Sequence, residues 1–270
     1  MDKKIGFIGT GNMGSAMIGG LINKNTVSAG SIYVSDKNRS SLNKLEQKWK
    51  GIHASENNAD TVKNADIIVL AVKPNIYKPV ISEIASLVDK SKIIITIAAG
   101  ITIQQTEQLF SKEIKLIRTM PNTPALVGEG VTAYCSNVHV SEEEEKSILP
   151  LLESFGIIEK IEEKYFHAVI AVSGSSPAYV YMFIEAMADA AVLQGLPRAQ
   201  AYRMASQSVL GAAKMVLETG SHPGVLKDAV CSPGGTTIEA VKTLEDFGFR
   251  SAVINAMEAN AKKSKDMTNE

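Results

Sequence analysis

A glycine-rich turn near the start of the sequence could bind a dinucleotide. Gly9, Gly11 and Gly14 belong to a segment that follows a short apolar run and opens a helix predicted over 13–23. In such a turn the first glycine permits a tight bend, the second admits a pyrophosphate to the backbone, and the third lets helix and strand pack closely. The helix N-terminus adds amide donors and a positive dipole. The alternative is a tight turn whose glycines serve packing alone.

The residues after the second predicted strand could contact the ribose of such a cofactor, but their signals conflict. Asp36 stands 22 residues after Gly14, near the spacing at which an acid binds the ribose 2′-hydroxyl of NAD. Arg39 follows shortly and could bind a 2′-phosphate through two hydrogen bonds. Alternatively, Asp36 caps the helix that begins near Asn38 and faces away from the cofactor. Charge alone favours NADP slightly.

Small residues follow two further strands, at 71–74 and at 98–100. Both segments lie at the carboxyl edge of the predicted sheet, where ligands bind in open α/β folds. Small side chains there would let the backbone approach the cofactor. The loop 120–124 carries two prolines around Asn122, and it could form a wall of the nicotinamide pocket or simply connect two elements.

A second glycine-containing loop, at 232–237, could bind an anion. Its sequence is Ser-Pro-Gly-Gly-Thr-Thr, and a predicted helix follows. Two glycines and nearby hydroxyl groups at a helix start suit a carboxylate as well as a phosphate. The alternative is an ordinary helix start with glycines for the turn. Because the first half of the chain already provides for a nucleotide, we interpret this loop as the anchor of the substrate.

The elements that would position these loops alternate between strands and helices in the first half of the chain. Continuously apolar, β-branched runs are typical of a parallel sheet covered by helices on both faces. We therefore predict a doubly wound, mostly parallel α/β domain over residues 1–164. Its predicted strands are 5–8, 32–34, 67–70, 93–97 and 116–118, with weaker candidates at 131–134 and 157–161.

Residues 165–270 contain no predicted strand, so we expect an all-α domain there. The first helix, predicted over 175–194, is apolar nearly all round. A helix without a polar face must be buried on every side, which a domain of this size rarely achieves alone. We therefore predict a second subunit. Further helices are predicted from residue 197 to Gly220 and over 236–247 and 250–265.

Composition and charge exclude several classes of function. The net charge of -1 argues against nucleic acid or an acidic membrane as a partner held by bulk charge. The first residues run directly into a strand, unlike a signal peptide, and no apolar run is long enough for a membrane helix. The two cysteines and four histidines show no metal-ligand spacing. We expect a cytoplasmic protein without a metal site.

These segments resemble the pyrroline-5-carboxylate reductases, which catalyse the last step of proline synthesis. The resemblance includes 9–14, 71–74, 98–100, 120–124 and 172–180, and it is most specific at 226–240. It implies an N-terminal Rossmann domain and a C-terminal helical domain that interlocks with a partner subunit, in dimers that often form rings. It also implies NADPH as the cofactor, with NADH accepted.

The resemblance and the chemistry of imine reduction predict the site residues. Asn58 and Lys73 would line the cofactor, and Ser35 and Arg39 would contact its 2′-phosphate. Amides of the loop and the Ser232 hydroxyl would hold the substrate carboxylate, while Thr237 would hydrogen-bond the imine nitrogen. The predicted substrate-binding residues are Ser232, Gly234, Gly235, Thr236 and Thr237. The predicted cofactor-binding residues are Ile8, Gly9, Thr10, Gly11, Asn12, Met13, Gly14, Ser35, Arg39, Asn58, Ala71, Val72, Lys73, Pro74, Ala98, Ala99 and Gly100.

Two other functions are open at this point. Another two-domain dehydrogenase, acting on a different imine or on a hydroxy acid, would usually carry a lysine as acid or base in the helical domain. Lys214 is the central candidate, although nothing around it resembles such a motif. A non-catalytic regulator could bind NAD(P)H without needing the loop 232–237. Oxidation of the cofactor when an imine is added would exclude the regulator.

Overall fold

The computed structural model describes the backbone of residues 3–269 and the side chains of residues 3–268. Met1, Asp2 and Glu270, at the ends of the predicted domains, lie outside this part of the chain. Contacts divide the chain into two compact units: the second unit is formed by residues 176–259, and the first unit is formed by the residues before and after them. The boundary predicted between residues 164 and 165 falls inside the first unit, and as a division of function it stays a prediction.

The first unit contains one mixed sheet, in which every neighbouring pair of strands is parallel except β6 and β7. The strand order is β3-β2-β1-β4-β5-β6-β7-β8. This sheet confirms the predicted doubly wound, mostly parallel fold. The strands among the described residues are β1 (Ile5–Ile8), β2 (Ile32–Ser35), β3 (His53–Ser55), β4 (Ile67–Leu70), β5 (Ile93–Thr96), β6 (Lys115–Met120), β7 (Gly130–Ser136) and β8 (Gly156–Lys160).

Helices cover both faces of this sheet and bury its central strands. Leu21, Leu42 and Leu151 belong to the core on one face, and Val62 and Phe110 to the core on the other. The first face carries α1 (Asn12–Asn23), α2 (Arg39–Lys48) and α6 (Glu142–Glu153), and the second carries α3 (Asn58–Asn64), α4 (Tyr77–Ile84) and α5 (Ile103–Phe110). A short α7 (Phe166–Val169) and a turn of π-helix (Ile170–Gly174) follow.

The sequence patterns do not predict β3, which forms one edge of the sheet. It pairs with β2 over three residues, and the rings of Tyr33 and His53 stack with centroids 4.5 Å apart. Within β3, His53 is exposed and Ala54 and Ser55 are half-buried. A strand so short and so polar leaves no apolar run, because only one of its edges is paired and neither of its faces is fully buried.

The second unit consists of helices alone in the described residues. Only Ala188 of α8 is buried in the single chain, while Tyr181, Met182 and Phe183 are exposed. Such an exposed apolar surface is what the prediction of a second subunit requires. No helix within residues 3–269 combines the length and apolar character needed to cross a membrane. The helices are α8 (Ser176–Leu193), α9 (Arg198–Thr219), α10 (Pro223–Ala229), α11 (Thr236–Asp246) and α12 (Phe249–Asn269), whose last residues belong to the first unit.

Candidate functional site

The three glycines of the first turn have the backbone geometry that their pattern predicts. Gly9 has a φ of +98°, and a Cβ there would lie 2.6 Å from the carbonyl oxygen of Ala71. A Cβ on Gly14 would lie 2.4 Å from the carbonyl oxygen of Gly9. A Cβ on Gly11 would meet no atom within 4 Å. The turn therefore needs Gly9 and Gly14 to fold, whereas at Gly11 the missing side chain leaves open space.

The N-terminus of α1 offers free amide donors beside that space. Gly11 is the N-cap residue and has no side chain to accept from the first amides, and the first turn contains no acid. The Ser15 hydroxyl donates to the Thr10 carbonyl at 2.8 Å and so braces the turn. Open space, unpaired amides and a positive helix dipole together fit the diphosphate of a dinucleotide.

A cavity of about 440 Å³ lies beside the turn, within the size range of small-molecule sites. The turn, the ends of β2 and β4, and the helices α3 and α4 form its walls. The cavity thus lies at the carboxyl edge of the sheet, as the sequence predicts. The predicted cofactor residues that line it are Ile8, Gly9, Gly11, Ser35, Asn58, Ala71, Val72 and Lys73.

The other predicted cofactor residues do not line this cavity. Thr10 and Asn12, with Gly11, line a neighbouring cavity of about 320 Å³ beside α2. Ala99 and Gly100 line a third, of about 220 Å³. The predicted residues that line none of these three cavities are Met13, Gly14, Arg39, Pro74 and Ala98.

Sequence reasoning missed one wall of the main cavity, which α4 and the turn before it provide. Ile76, Val80 and Glu83 line it, and their spacing of four and three residues is that of one helix face. Glu83 also ends a chain of hydrogen bonds: Ser35 Oγ donates to Asn58 Oδ1 at 2.8 Å, and Asn58 Nδ2 donates to Glu83 Oε2 at 2.8 Å. The apolar residues Ile76 and Val80, four residues apart and directly after the segment 71–74, were the signal that could have placed this helix face at the edge of the sheet.

The structure also resolves which residue caps α2. The Asn38 side chain accepts a hydrogen bond from the Ser40 amide at 3.0 Å and is the N-cap. Asp36 lies two residues before this N-cap and lines the main cavity. The alternative that Asp36 is the N-cap of this helix is therefore wrong.

The loop 232–237 of the second unit forms a turn that opens α11. Gly234 has a φ of +69°, and the Gly235 amide donates to the Ser232 carbonyl at 3.0 Å. That amide is used within the turn, so it is not free for a substrate. Gly235 is the N-cap residue of α11 and provides no side-chain acceptor, which leaves the amides of Thr236 and Thr237 available.

Two hydroxyl groups of this loop complete a set of donors. Within the described side chains, the Ser232 and Thr237 hydroxyls have no hydrogen-bond partner. A helix start with free amides and free hydroxyls suits a carboxylate, because the dipole and the donors both favour negative charge.

Comparison with known proteins identifies the family. Over 268 residues, covering 99% of both chains, the sequence is 53% identical to the pyrroline-5-carboxylate reductase of Escherichia coli (strain K12). The chain belongs to the pyrroline-5-carboxylate reductase family. The family model for pyrroline-5-carboxylate reductase dimerisation matches residues 163–267, which supports self-association. A second model, described as NADP oxidoreductase coenzyme F420-dependent, matches residues 4–100.

Solved structures of pyrroline-5-carboxylate reductases have the same fold along nearly the full length of this chain. The Plasmodium falciparum pyrroline carboxylate reductase with NADP bound is 37% identical with a TM-score of 0.89, over 99% of this chain and 98% of that one. The Coxiella burnetii pyrroline-5-carboxylate reductase is 34% identical with a TM-score of 0.91, over 99% of both. These comparisons confirm the predicted Rossmann-like domain, the helical C-terminal domain and an NAD(P)H-dependent oxidoreductase.

Proposed function

We propose that this protein reduces pyrroline-5-carboxylate to L-proline with NADPH, or with NADH, as the final step of proline biosynthesis. The observation that carries the proposal is the 53% identity to a pyrroline-5-carboxylate reductase over nearly the full length of both chains. An unrelated specificity would be hard to reconcile with identity at that level across both the cofactor half and the loop 232–237.

In this proposal the cofactor lies along the carboxyl edge of the sheet. Gly11 and the start of α1 hold its diphosphate, because free amides and open space occur there together. Ser35, Asn58 and Lys73 line the main cavity beside it, and the segment 98–100 approaches the nicotinamide. When bound, the reduced nicotinamide supplies a hydride to the imine carbon.

The loop 232–237 holds the substrate by its carboxylate. The Ser232 hydroxyl and the amides of Thr236 and Thr237 donate to it, while Gly234 and Gly235 shape the turn. Reduction at carbon would move the electron pair of the C=N bond to nitrogen. The proton that neutralises this nitrogen would come from solvent, or the substrate would already carry it as a protonated imine. The Thr237 hydroxyl hydrogen-bonds this nitrogen and orients the ring, and orientation supplies much of the catalysis.

The assembly and the place of action follow from the same proposal. Residues 165–270 serve substrate binding and dimerisation, and 1–164 bind the cofactor. The exposed apolar face of α8 packs against a second copy, in a dimer or a ring of dimers. The protein acts in the cytoplasm on a small molecule, without nucleic acid or membrane as a partner.

The proposal is tested by adding pyrroline-5-carboxylate to the purified protein with NADPH or NADH, following cofactor absorbance and assaying proline. Pyrroline without the carboxylate is the matched control, and we expect its kcat/KM to be at least tenfold lower, because the loop has nothing to hold. Cofactor binding without oxidation would favour the regulator. Oxidation with other imines or hydroxy acids alone would favour the rival dehydrogenase.

A further inference from the structure

Asp36, the acid at the end of β2, has both carboxylate oxygens engaged by its own chain. Oδ2 accepts hydrogen bonds from the Thr10 amide at 2.7 Å and from the Thr10 hydroxyl at 2.8 Å. Oδ1 accepts from the Asn38 amide at 2.8 Å. Thr10 stands between the first two glycines of the turn and is 3% exposed. Asp36 therefore ties the glycine turn to the loop that follows β2.

These hydrogen bonds compete with the role that an acid at this position usually has, which is to bind ribose hydroxyls. Partial burial alone raises the pKa of Asp36, but donation from Asn38 and Thr10 outweighs it and brings the pKa below its ordinary value. The carboxylate is charged at neutral pH, and its own chain occupies most of its about four lone-pair positions. To bind two ribose hydroxyls, Asp36 would have to release Thr10.

The cations near Asp36 differ in whether they are already paired. Arg39 lies 3.5 Å from Glu46 and 4.0 Å from Glu56, and it does not line the main cavity. Lys37 lines that cavity, and it has no ion pair or side-chain hydrogen bond within the described residues. At the end of β2, Lys37 is therefore the ammonium group available to an anion in the cavity.

We propose that Asp36 is a positioning residue that holds the glycine turn through Thr10, and that Lys37 is the side chain that distinguishes NADPH from NADH. The proposal rests on the proposed function, because it assumes that the main cavity takes the adenosine half of the cofactor. It departs from the prediction that Arg39 contacts the 2′-phosphate.

The charge of the cofactor decides how large the effect of Lys37 is. The 2′-phosphate of NADPH is a monoester and carries about 1.5 to 2 negative charges near neutral pH. NADH has a hydroxyl group at that position. Replacing Lys37 by Gln removes one charge-assisted hydrogen bond, and for an exposed lysine we expect the Kd of NADPH to rise about five- to tenfold. The Kd of NADH should stay within about twofold of the wild-type value, since no phosphate faces the lysine.

The first experiment measures the Kd of both cofactors by fluorescence titration, without substrate, at low and high salt. Lys37→Gln is compared with Arg39→Gln and with Lys63→Gln, an exposed lysine of α3 that makes the same change in net charge. We expect the ratio of the two Kd values to move in Lys37→Gln alone, and more at low salt than at high salt. A ratio that moves in Arg39→Gln and not in Lys37→Gln would overturn the assignment.

The second experiment asks what Asp36 holds. Asp36→Asn keeps the size of the side chain and removes its charge, and Thr10→Val removes the hydroxyl donor, while Thr10→Ser keeps it. We expect Thr10→Val, which changes no charge, to weaken NADPH and NADH by the same factor, about tenfold. Asp36→Asn should weaken both as well, but NADPH less, because the carboxylate that repels its phosphate is gone. Thr10→Ser, which keeps the hydroxyl donor to Asp36, should restore most of the affinity that Thr10→Val loses.

A readout on the cofactor-free protein separates positioning from binding. Amide hydrogen exchange of the turn 9–14 should be faster in Asp36→Asn and Thr10→Val than in the wild type and Thr10→Ser. Selective loss of NADH affinity in Asp36→Asn, with unchanged exchange, would show a ribose-binding acid and refute the inference. A wild-type protein that binds neither cofactor would refute the proposed function as well, whereas binding with an unmoved ratio in Lys37→Gln refutes the inference alone.

Discussion

Gly11→Ala should separate the binding of the cofactor from the folding of the glycine turn. In the protein alone, a Cβ at Gly11 meets no atom within 4 Å, and its φ of -64° and ψ of -169° suit alanine as well as glycine. The added methyl group therefore strains nothing. It occupies the space in which the proposal places the diphosphate of the cofactor.

The expected magnitudes follow from that geometry. Alanine is a poorer N-cap residue than glycine by about 0.5–1 kcal/mol, and it stabilises the folded state by about 0.4–1 kcal/mol through the lower entropy of the unfolded chain. The two effects offset each other, so the free energy of unfolding should stay within about 0.5 kcal/mol of the wild-type value. The Kd of NADPH should rise at least tenfold, which corresponds to about 1.4 kcal/mol.

Two other glycines of the same region provide matched controls. At Gly14 the Cβ would lie 2.4 Å from the Gly9 carbonyl oxygen, about 1 Å closer than ordinary van der Waals contact. Gly14→Ala should therefore lower the free energy of unfolding by about 1–3 kcal/mol, and it should also weaken cofactor binding. At Gly19, inside α1, a Cβ meets nothing within 4 Å. Gly19→Ala should stabilise the protein by about 0.5–1 kcal/mol and leave the Kd unchanged.

The assay combines urea unfolding of the cofactor-free variants with fluorescence titration of NADPH. Only Gly11→Ala is expected to lose affinity at unchanged stability. If Gly11→Ala binds NADPH within twofold of the wild-type Kd, the diphosphate does not lie against Gly11, and the proposed position of the cofactor is wrong.

Three further predictions concern the substrate loop, the charged surface and the assembly. Thr237→Ala should lower kcat by one to two orders of magnitude, about 1.4–2.7 kcal/mol, while Thr237→Ser retains most of it; unchanged kinetics in steady-state assays would remove Thr237 from the mechanism. Partial burial raises the pKa of Glu144, but hydrogen bonds from Lys115 and Ser141 outweigh it, so its pKa lies below the ordinary 4.5. A lowered carboxyl pKa stabilises the folded protein above about pH 4.5, and this stabilisation is lost as the pH falls through the folded-state pKa. Melting curves should therefore show Glu144→Gln to be less stable than the wild type at pH 7, and the difference in stability should shrink in acid. A difference in stability that does not depend on pH would contradict this prediction. Met182, 68% exposed in the single chain, should lie in the interface between subunits, so Met182→Lys should shift the protein towards monomer in light scattering after gel filtration, and an unchanged mass would place the interface elsewhere.

The central strands are predictable from the sequence because their environment is simple. β1, β4 and β5 are buried at every residue, since parallel neighbours flank them and helices cover both faces. Such strands must be apolar throughout, and a continuous run of Ile, Val and Leu reveals them directly. The glycine turn is predictable for a similar reason, because Gly9 and Gly14 have contacts that only glycine permits.

Two short elements, α10 and β3, could not be predicted from apolar patterns in this way. α10 has seven residues, and the His222 side chain caps it by accepting from the Gly224 amide at 3.0 Å. No apolar period can appear over fewer than two turns, and histidine is not among the usual cap residues. β3 is missed because an exposed edge strand has no need of an apolar run. In both cases local contacts stabilise an element that composition does not mark.

The sequence by itself predicted the family, the fold class and the positions of the glycine turn and the loop 232–237. Each of these depends on a pattern of residue types, such as closely spaced glycines, that few other structures need. Only the tertiary structure shows which groups of the chain Asp36, Arg39 and the Gly235 amide contact. The sequence shows only that an acid follows β2, whereas the fold brings the Thr10 amide within 2.7 Å of the Asp36 carboxylate. Polar groups have several partners within reach of their chemistry, and the partner they take depends on distances of a few tenths of an ångström that only the folded chain sets.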